Sequence, residues 1–171
     1  MPDANDRLQE TREVLAGFID DFESLVIASV DEAGQPAASY APFVRDDAGH
    51  FYIFVSLLAE HTRNLLGQPR ASILFIEPEM QTRQIFARRR ASFRCRVEPI
   101  ARDSDEAEVP LARLRERFGE IMDLLGGLGD FRLLRLVPEE GRFVIGFGQA
   151  YRLTGPHLAE LEPIGPREDG G

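Results

Sequence analysis

Apolar and polar positions follow one another in short blocks, and each block predicts an element. In residues 5–22, Leu8, Leu15, Phe18, Ile19 and Phe22 fall on one stripe with acids and arginines elsewhere, the spacing of an amphipathic helix. Residues 24–30 (SLVIASV) predict a short apolar strand, DEAG at 31–34 a turn, and 36–44 the returning strand. DDAG at 46–49 is a second turn and 50–55 a third strand, so the three strands form a meander. Residues 56–66 predict a short helix, closed by Gly67 with Pro69 just beyond. Residues 70–76 are a fourth strand, ended by Glu77-Pro78-Glu79, and 82–97 predict one long alternating strand. Over 103–125, Leu111, Leu114, Phe118, Ile121, Met122 and Leu125 make a second amphipathic stripe, closed by Gly126, Gly127 and Gly129. Residues 131–137 and 142–153 are the last two strands, joined across 138–141, and the proline- and glycine-rich acidic tail from 155 is expected to have a mobile end.

No repeat, low-complexity block or linker interrupts residues 24–153. The expectation is a mainly β (α+β) fold, a six-stranded antiparallel barrel with flanking helices, in one domain. Residues 1–22 would be a helix packed on the barrel, 23–155 the barrel and 156–171 a tail. A chain of 171 residues supports such a core, since a domain of this size buries about 70% of its unfolded surface.

Charge and composition narrow the partners. A net charge of −9 argues against broad binding to nucleic acid. No apolar run nears the ~20 residues of a membrane span, and the acidic, polar start lacks the apolar core of a secretory signal, so the expected location is cytoplasmic. All 20 basic residues are arginine, which removes lysine Schiff-base chemistry and any P-loop. The one cysteine, Cys95, excludes an intrachain disulfide and reads as a small buried hydrophobe.

No hydrolase, zincin, Walker or dinucleotide-binding signature occurs, and His50, His61 and His157 are too dispersed for a structural zinc site. Two segments carry candidate chemistry. Residues 56–65 (SLLAEHTRNL) put a polar cluster at the opening of a helix, where free N–H groups suit an anion; the alternative is an ordinary polar face on a helix docked by its leucines. In residues 83–96 (RQIFARRRASFRCR), strand alternation places Arg88, Arg90, Arg94 and Arg96 on one face with Ser92. Arg89 falls on the other with Ile85, Ala87, Ala91, Phe93 and Cys95. Such an arginine face either binds carboxylate or phosphate groups or pairs with neighbouring acids. Asp130, alone, is a turn residue before a strand.

Taken together, PAASYAPFVRDDAGHFYIFVSLLAEHTRNL, ASILFIE, FARRRASF and GDFRLLRLVPEEGRFVIGFGQAYRL resemble the haem-utilisation (HugZ/HutZ-type) branch of the pyridoxamine 5'-phosphate oxidase-like, FMN-binding split barrels. The resemblance spans residues 22–153, most clearly at 56–65 and 146–151. It implies a homodimer with its cofactor, haem b or FMN, at the subunit interface. It implies a cofactor-binding set of Ser39, Tyr40, Ser56, His61, Thr62, Asn64, Arg88 and Arg90. Arg90, or failing it Arg88, matches an arginine over the distal face of haem, and Asp130 matches an aspartate that hydrogen-bonds the iron-ligating histidine of the other subunit. The family's ligating histidine lies beyond the Gly-Phe-Gly strand, near the chain end; here that end, LEPIGPREDGG, holds no histidine, and the nearest, His157, is the candidate iron ligand. The activities implied are haem binding with oxidative ring opening, an FMN-dependent oxidase-like reaction, or a dimeric ligand-binding domain without catalysis.

Overall fold

The structure, a computed structural model, describes residues 4–165. Helix α1 (Ala4–Asp20) is followed by strands β1 (Ser24–Val30), β2 (Pro36–Pro42), β3 (Val44–Arg45) and β4 (Phe51–Ser56), then α2 (Glu60–Gly67) and β5 (Arg70–Ile76). Two 3-10 turns (Glu79–Gln81 and Ile85–Ala87) lead into β6 (Arg90–Ile100), and α3 (Asp105–Phe118) and α4 (Ile121–Gly126) precede β7 (Phe131–Gly146). After β8 (Gln149–Thr154) come a third 3-10 turn (Pro156–Leu158) and β9 (Glu160–Pro163). The strands form one mostly antiparallel sheet in the order β2-β1-β5-β6-β7-β4-β3, with β8 on β7 and β9 on β8. No described helix is long and apolar enough to cross a membrane.

The sheet has nine strands among the described residues, where the sequence pattern drew seven segments for a six-stranded barrel, and the boundaries that differ do so for local reasons. The strand expected over 82–97 begins only at Arg90. Before it, Thr82 Oγ1 donates to the Gln84 carbonyl, Gln84 Oε1 accepts from Phe86 N–H, and Arg88 Nε donates to the Glu77 carbonyl. These side-chain bonds replace ladder bonds and wind the segment into turns. Arg88 therefore leaves the arginine face that alternation had assigned it.

The helix expected over 103–125 is two helices, split where Gly119 adopts φ 75° and its N–H caps the Arg115 carbonyl. The turn expected at 138–141 is the middle of β7, and the reversal falls at Gly148, φ 66°. A side chain at Gly141 would sit 2.9 Å from the Phe93 ring and 3.1 Å from Leu153, so this glycine serves close packing and not a turn. The tail carries β9, while its end, residues 166–171, lies outside the described residues.

Two compact units share the described chain, residues 4–22, 74–93 and 139–165 in the first and 23–73 and 94–138 in the second. The first is centred on aromatic packing. Phe18 lies 5.1 Å from Phe22 and 5.9 Å from Phe143, Phe22 lies 5.5 Å from Phe75, and Phe75 lies 6.4 Å from Phe93, ring centre to ring centre. The second buries Val44, Tyr52, Phe54, Ile100, Ala107, Leu114 and Leu133 under the apolar stripes of α3 and α4.

The β1–β2 hairpin departs from the usual rule of apolar inside and polar outside. Leu25, Ile27 and Ser29 point inward, yet the outward positions Val26, Ala28 and Val30 pair in register with Tyr40, Ala38 and Pro36. Both faces of the hairpin are thus mainly apolar, and the outer one is exposed in the single chain.

Candidate functional site

In the second unit, the end of β4 and the start of β7 fix a carboxylate. Ser56 stands opposite Phe131 in the β4–β7 ladder, which brings Asp130 beside it. The Asp130 carbonyl accepts from Leu57 N–H at 2.9 Å, and Asp130 Oδ2 accepts from the Ser56 hydroxyl. Ser56 Oγ accepts in turn from Leu58 N–H at 3.0 Å, the local bond that ends the strand and delays the helix to Glu60. Asp130 is therefore held by its backbone and by one carboxylate oxygen, with Oδ1 left to accept a further hydrogen bond.

Helix α2 is tied to the β1–β2 hairpin by two polar contacts. His61 Nδ1 lies 2.9 Å from Ser39 Oγ on β2, and Asn64 Nδ2 donates to Ser29 Oγ on β1 at 3.1 Å. His61 and Asn64 are three apart, so both project from one helix face. Ser29 was missed from sequence, where its single hydroxyl in an apolar strand gave only its inward parity as a signal.

His61 Nε2 and Thr62 Oγ1 are buried without a partner. Arg63 Nη1 is bonded to the Leu57 and Leu58 carbonyls, and Tyr40 projects 66% exposed from the outer hairpin face. With Ser39, Ser56 and Arg63 engaged, few side chains are left here to hold a flavin phosphate.

Burial withholds water from the His61 imidazolium and holds its pKa below the ordinary 6.5. Above pH 6.5, both the folded and unfolded chains carry a neutral His61. As the pH falls through this value, the unfolded chain takes up the proton first, so stability is lost toward acid. The unfolding free energy measured by urea titration should fall between pH 7.5 and 5.5, by less than about 1.4 kcal/mol per pH unit for this one group. The fall should be shallower in His61→Gln; equal slopes in the two proteins would contradict the assignment.

The other candidates belong to the first unit. Arg88 donates Nε and Nη2 to the Glu77 carbonyl, and its Nη1 lies 3.6 Å from Glu79. Arg90 Nη1 donates to the Arg88 carbonyl at 3.1 Å, which leaves the rest of its fork available. His157 stands exposed on the turn Pro156–Leu158 at φ 53°. His50 is engaged by Asp46 at 3.0 Å and His61 by Ser39, whereas the His157 imidazole makes no hydrogen bond or ion pair within the described chain.

The structure thus brings together Ser56 with Asp130 and Ser39 with His61, and sets Thr62 and Asn64 on the helix of His61. Sequence reasoning passed over Arg89. It lines a cavity in the first unit with Arg83, Thr82, Ile145 and Phe147.

The family model for pyridoxamine 5'-phosphate oxidase matches residues 11–145. The heme oxygenase HutZ of Vibrio cholerae is 44% identical over 144 residues, which cover 84% of this chain and 81% of HutZ. The crystal structure of Vibrio cholerae HutZ, titled a heme storage protein, aligns with a TM-score of 0.70 at 41% identity, covering 74% of this chain and 89% of that one. The crystal structure of Campylobacter jejuni ChuZ aligns with a TM-score of 0.81 at 28% identity, covering 92% of this chain and 63% of that one.

Proposed function

The chain belongs to the pyridoxamine 5'-phosphate oxidase family of split barrels, on its HutZ-like branch, and from that premise we propose that it binds haem b between two copies of itself. The observation that carries this reading is the preset carboxylate. Asp130 is oriented by Ser56 and Leu57 and keeps Oδ1 for one more donor, which is what a carboxylate behind a ligating imidazole requires.

The donor set fits the group. The imidazole without a partner is His157, and its exposure and position in the tail suit it to reach a ligand outside its own chain. In this reading one ring nitrogen of His157 would hold the iron, and the other nitrogen's N–H would be donated to the second subunit's Asp130, which would fix the tautomer and raise the basicity of the ligating nitrogen. Arg90, with part of its fork free, would supply a donor for an anionic group of the ligand. Haem, when bound, supplies the iron at which dioxygen is reduced and the macrocycle that such chemistry opens.

The exposed apolar outer face of β1–β2 supports the homodimer, since an isologous interface needs one self-complementary patch. The Vibrio relative is called a heme oxygenase in one description and a heme storage protein in another, and binding is common to both. We take oxidative ring opening as the activity, in the cytoplasm.

The test is ascorbate added in air, with catalase present, to protein loaded with haemin. Loss of the Soret band with release of one iron per haem, faster than for haemin free in the same buffer, is the expected result. A stable Soret band would end the enzymatic reading and leave storage.

A further inference from the structure

The consecutive arginines 88, 89 and 90 do three different things. Arg88 is spent on the Glu77 carbonyl and Glu79, and Arg90 holds the Arg88 carbonyl. Arg89 uses its backbone, its N–H donating to Glu77 Oε1 at 2.8 Å and its carbonyl accepting from Glu77 N–H at 2.9 Å. Its side chain makes no hydrogen bond or close ion pair within the described chain, and Nε is buried with its donor unmet. A buried unpaired guanidinium N–H is costly unless something fills the position.

What adjoins it is a cavity of about 560 Å³, within the range of small-molecule sites, lined by Arg83 and Arg89 and on its apolar side by Ala87, Ile145 and the exposed Phe147. Glu77 also lines it. Burial pulls the Glu77 carboxyl upward, but the Arg89 N–H, the Thr82 side chain and the charges of Arg89 and Arg88 outweigh this, so it stays ionised. Two arginines against one carboxylate leave a single positive charge in the lining. That balance suits a monoanion better than a phosphate dianion, and the apolar wall suits a ligand with an unsaturated, apolar body.

We propose that this cavity is a carboxylate-binding site anchored by Arg89, with Arg83 as the second cation, for a carboxylate carried on a flat apolar body. It rests on the haem reading only for the ligand's identity: a haem propionate has this chemistry, and so does a separate aromatic carboxylate.

Arg89→Gln removes an unmet donor and leaves both backbone bonds to Glu77 in place, so the variant should fold. The probes are iron-free protoporphyrin IX, its dimethyl ester, and benzoate. The readouts are porphyrin fluorescence and the Arg89 Nε–H resonance, identified by its disappearance in Arg89→Gln. The wild-type chain should bind the diacid about tenfold more tightly than the ester, Arg89→Gln should lose that preference, and Arg89→Lys should recover part of it. A preference unchanged in Arg89→Gln, or an Arg89 resonance that neither the diacid nor benzoate moves, overturns the proposal. If benzoate moves the resonance and neither haemin nor the porphyrin binds, the carboxylate site stands with a separate aromatic acid as its ligand, and the haem reading falls instead.

Discussion

Replacing His157 should raise the dissociation constant for haemin by more than about a hundredfold, beyond the 10- to 100-fold typical of losing a partner behind a metal ligand. The choice of variant follows from the backbone. His157 and Leu158 both sit at φ 53°, a region that costs most L-residues roughly 1–2 kcal/mol and that Asn and Gly tolerate. His157→Asn therefore removes the imidazole and keeps the turn, whereas His157→Ala would add strain to the loss of the ligand. His157→Gly should bind haemin weakly by itself and recover its Soret spectrum when imidazole is supplied in solution, since the added ring can occupy the vacated position. Wild-type affinity in His157→Asn, measured by Soret titration, would remove this residue as the ligand.

The second large effect is expected on the outer face of the β1–β2 hairpin. Ala38 is exposed, faces outward and pairs with Ala28, so Ala38→Glu costs the folded single chain little. In an isologous dimer the same change places two unpaired carboxylates in one interface, and burying unpaired charge costs several kcal/mol. The dimer dissociation constant should rise at least about a hundredfold, seen by light scattering or sedimentation as a monomer at micromolar concentration. Haem affinity should fall with it, because Asp130 is read as acting on the other subunit's imidazole. A monomeric Ala38→Glu that binds haemin normally would place the whole site within one chain. A variant that stays dimeric would move the interface elsewhere.

Legibility from sequence followed the range of the interactions involved. Strands β1 and β5 begin and end where alternation and the flanking turn residues put them, because both signals are local. The 82–89 segment did not, because Thr82, Gln84 and Arg88 bind nearby backbone in ways that an alternating pattern does not encode. Gly141 looked like a turn because its reason for being glycine, the Phe93 ring, lies 48 residues earlier in the chain.

The site was legible in part for the same reason. Ser39 and His61, like Ser56 and Asp130, were each singled out from the resemblance. That each pair is joined by a hydrogen bond depends on strand register, and that appeared only in the fold. Arg89 was set apart from its two neighbours only by the parity of a strand that does not extend that far, so that signal said nothing of the cavity it lines.

The most direct test of the central claim, that this chain holds haem b, is haemin titrated into the purified protein and followed at the Soret band, with FMN titrated in parallel. The expected result is a sharp, saturating Soret change at one haem per subunit, with no saturable FMN binding. A haemin titration that never saturates, with or without FMN uptake, would contradict it.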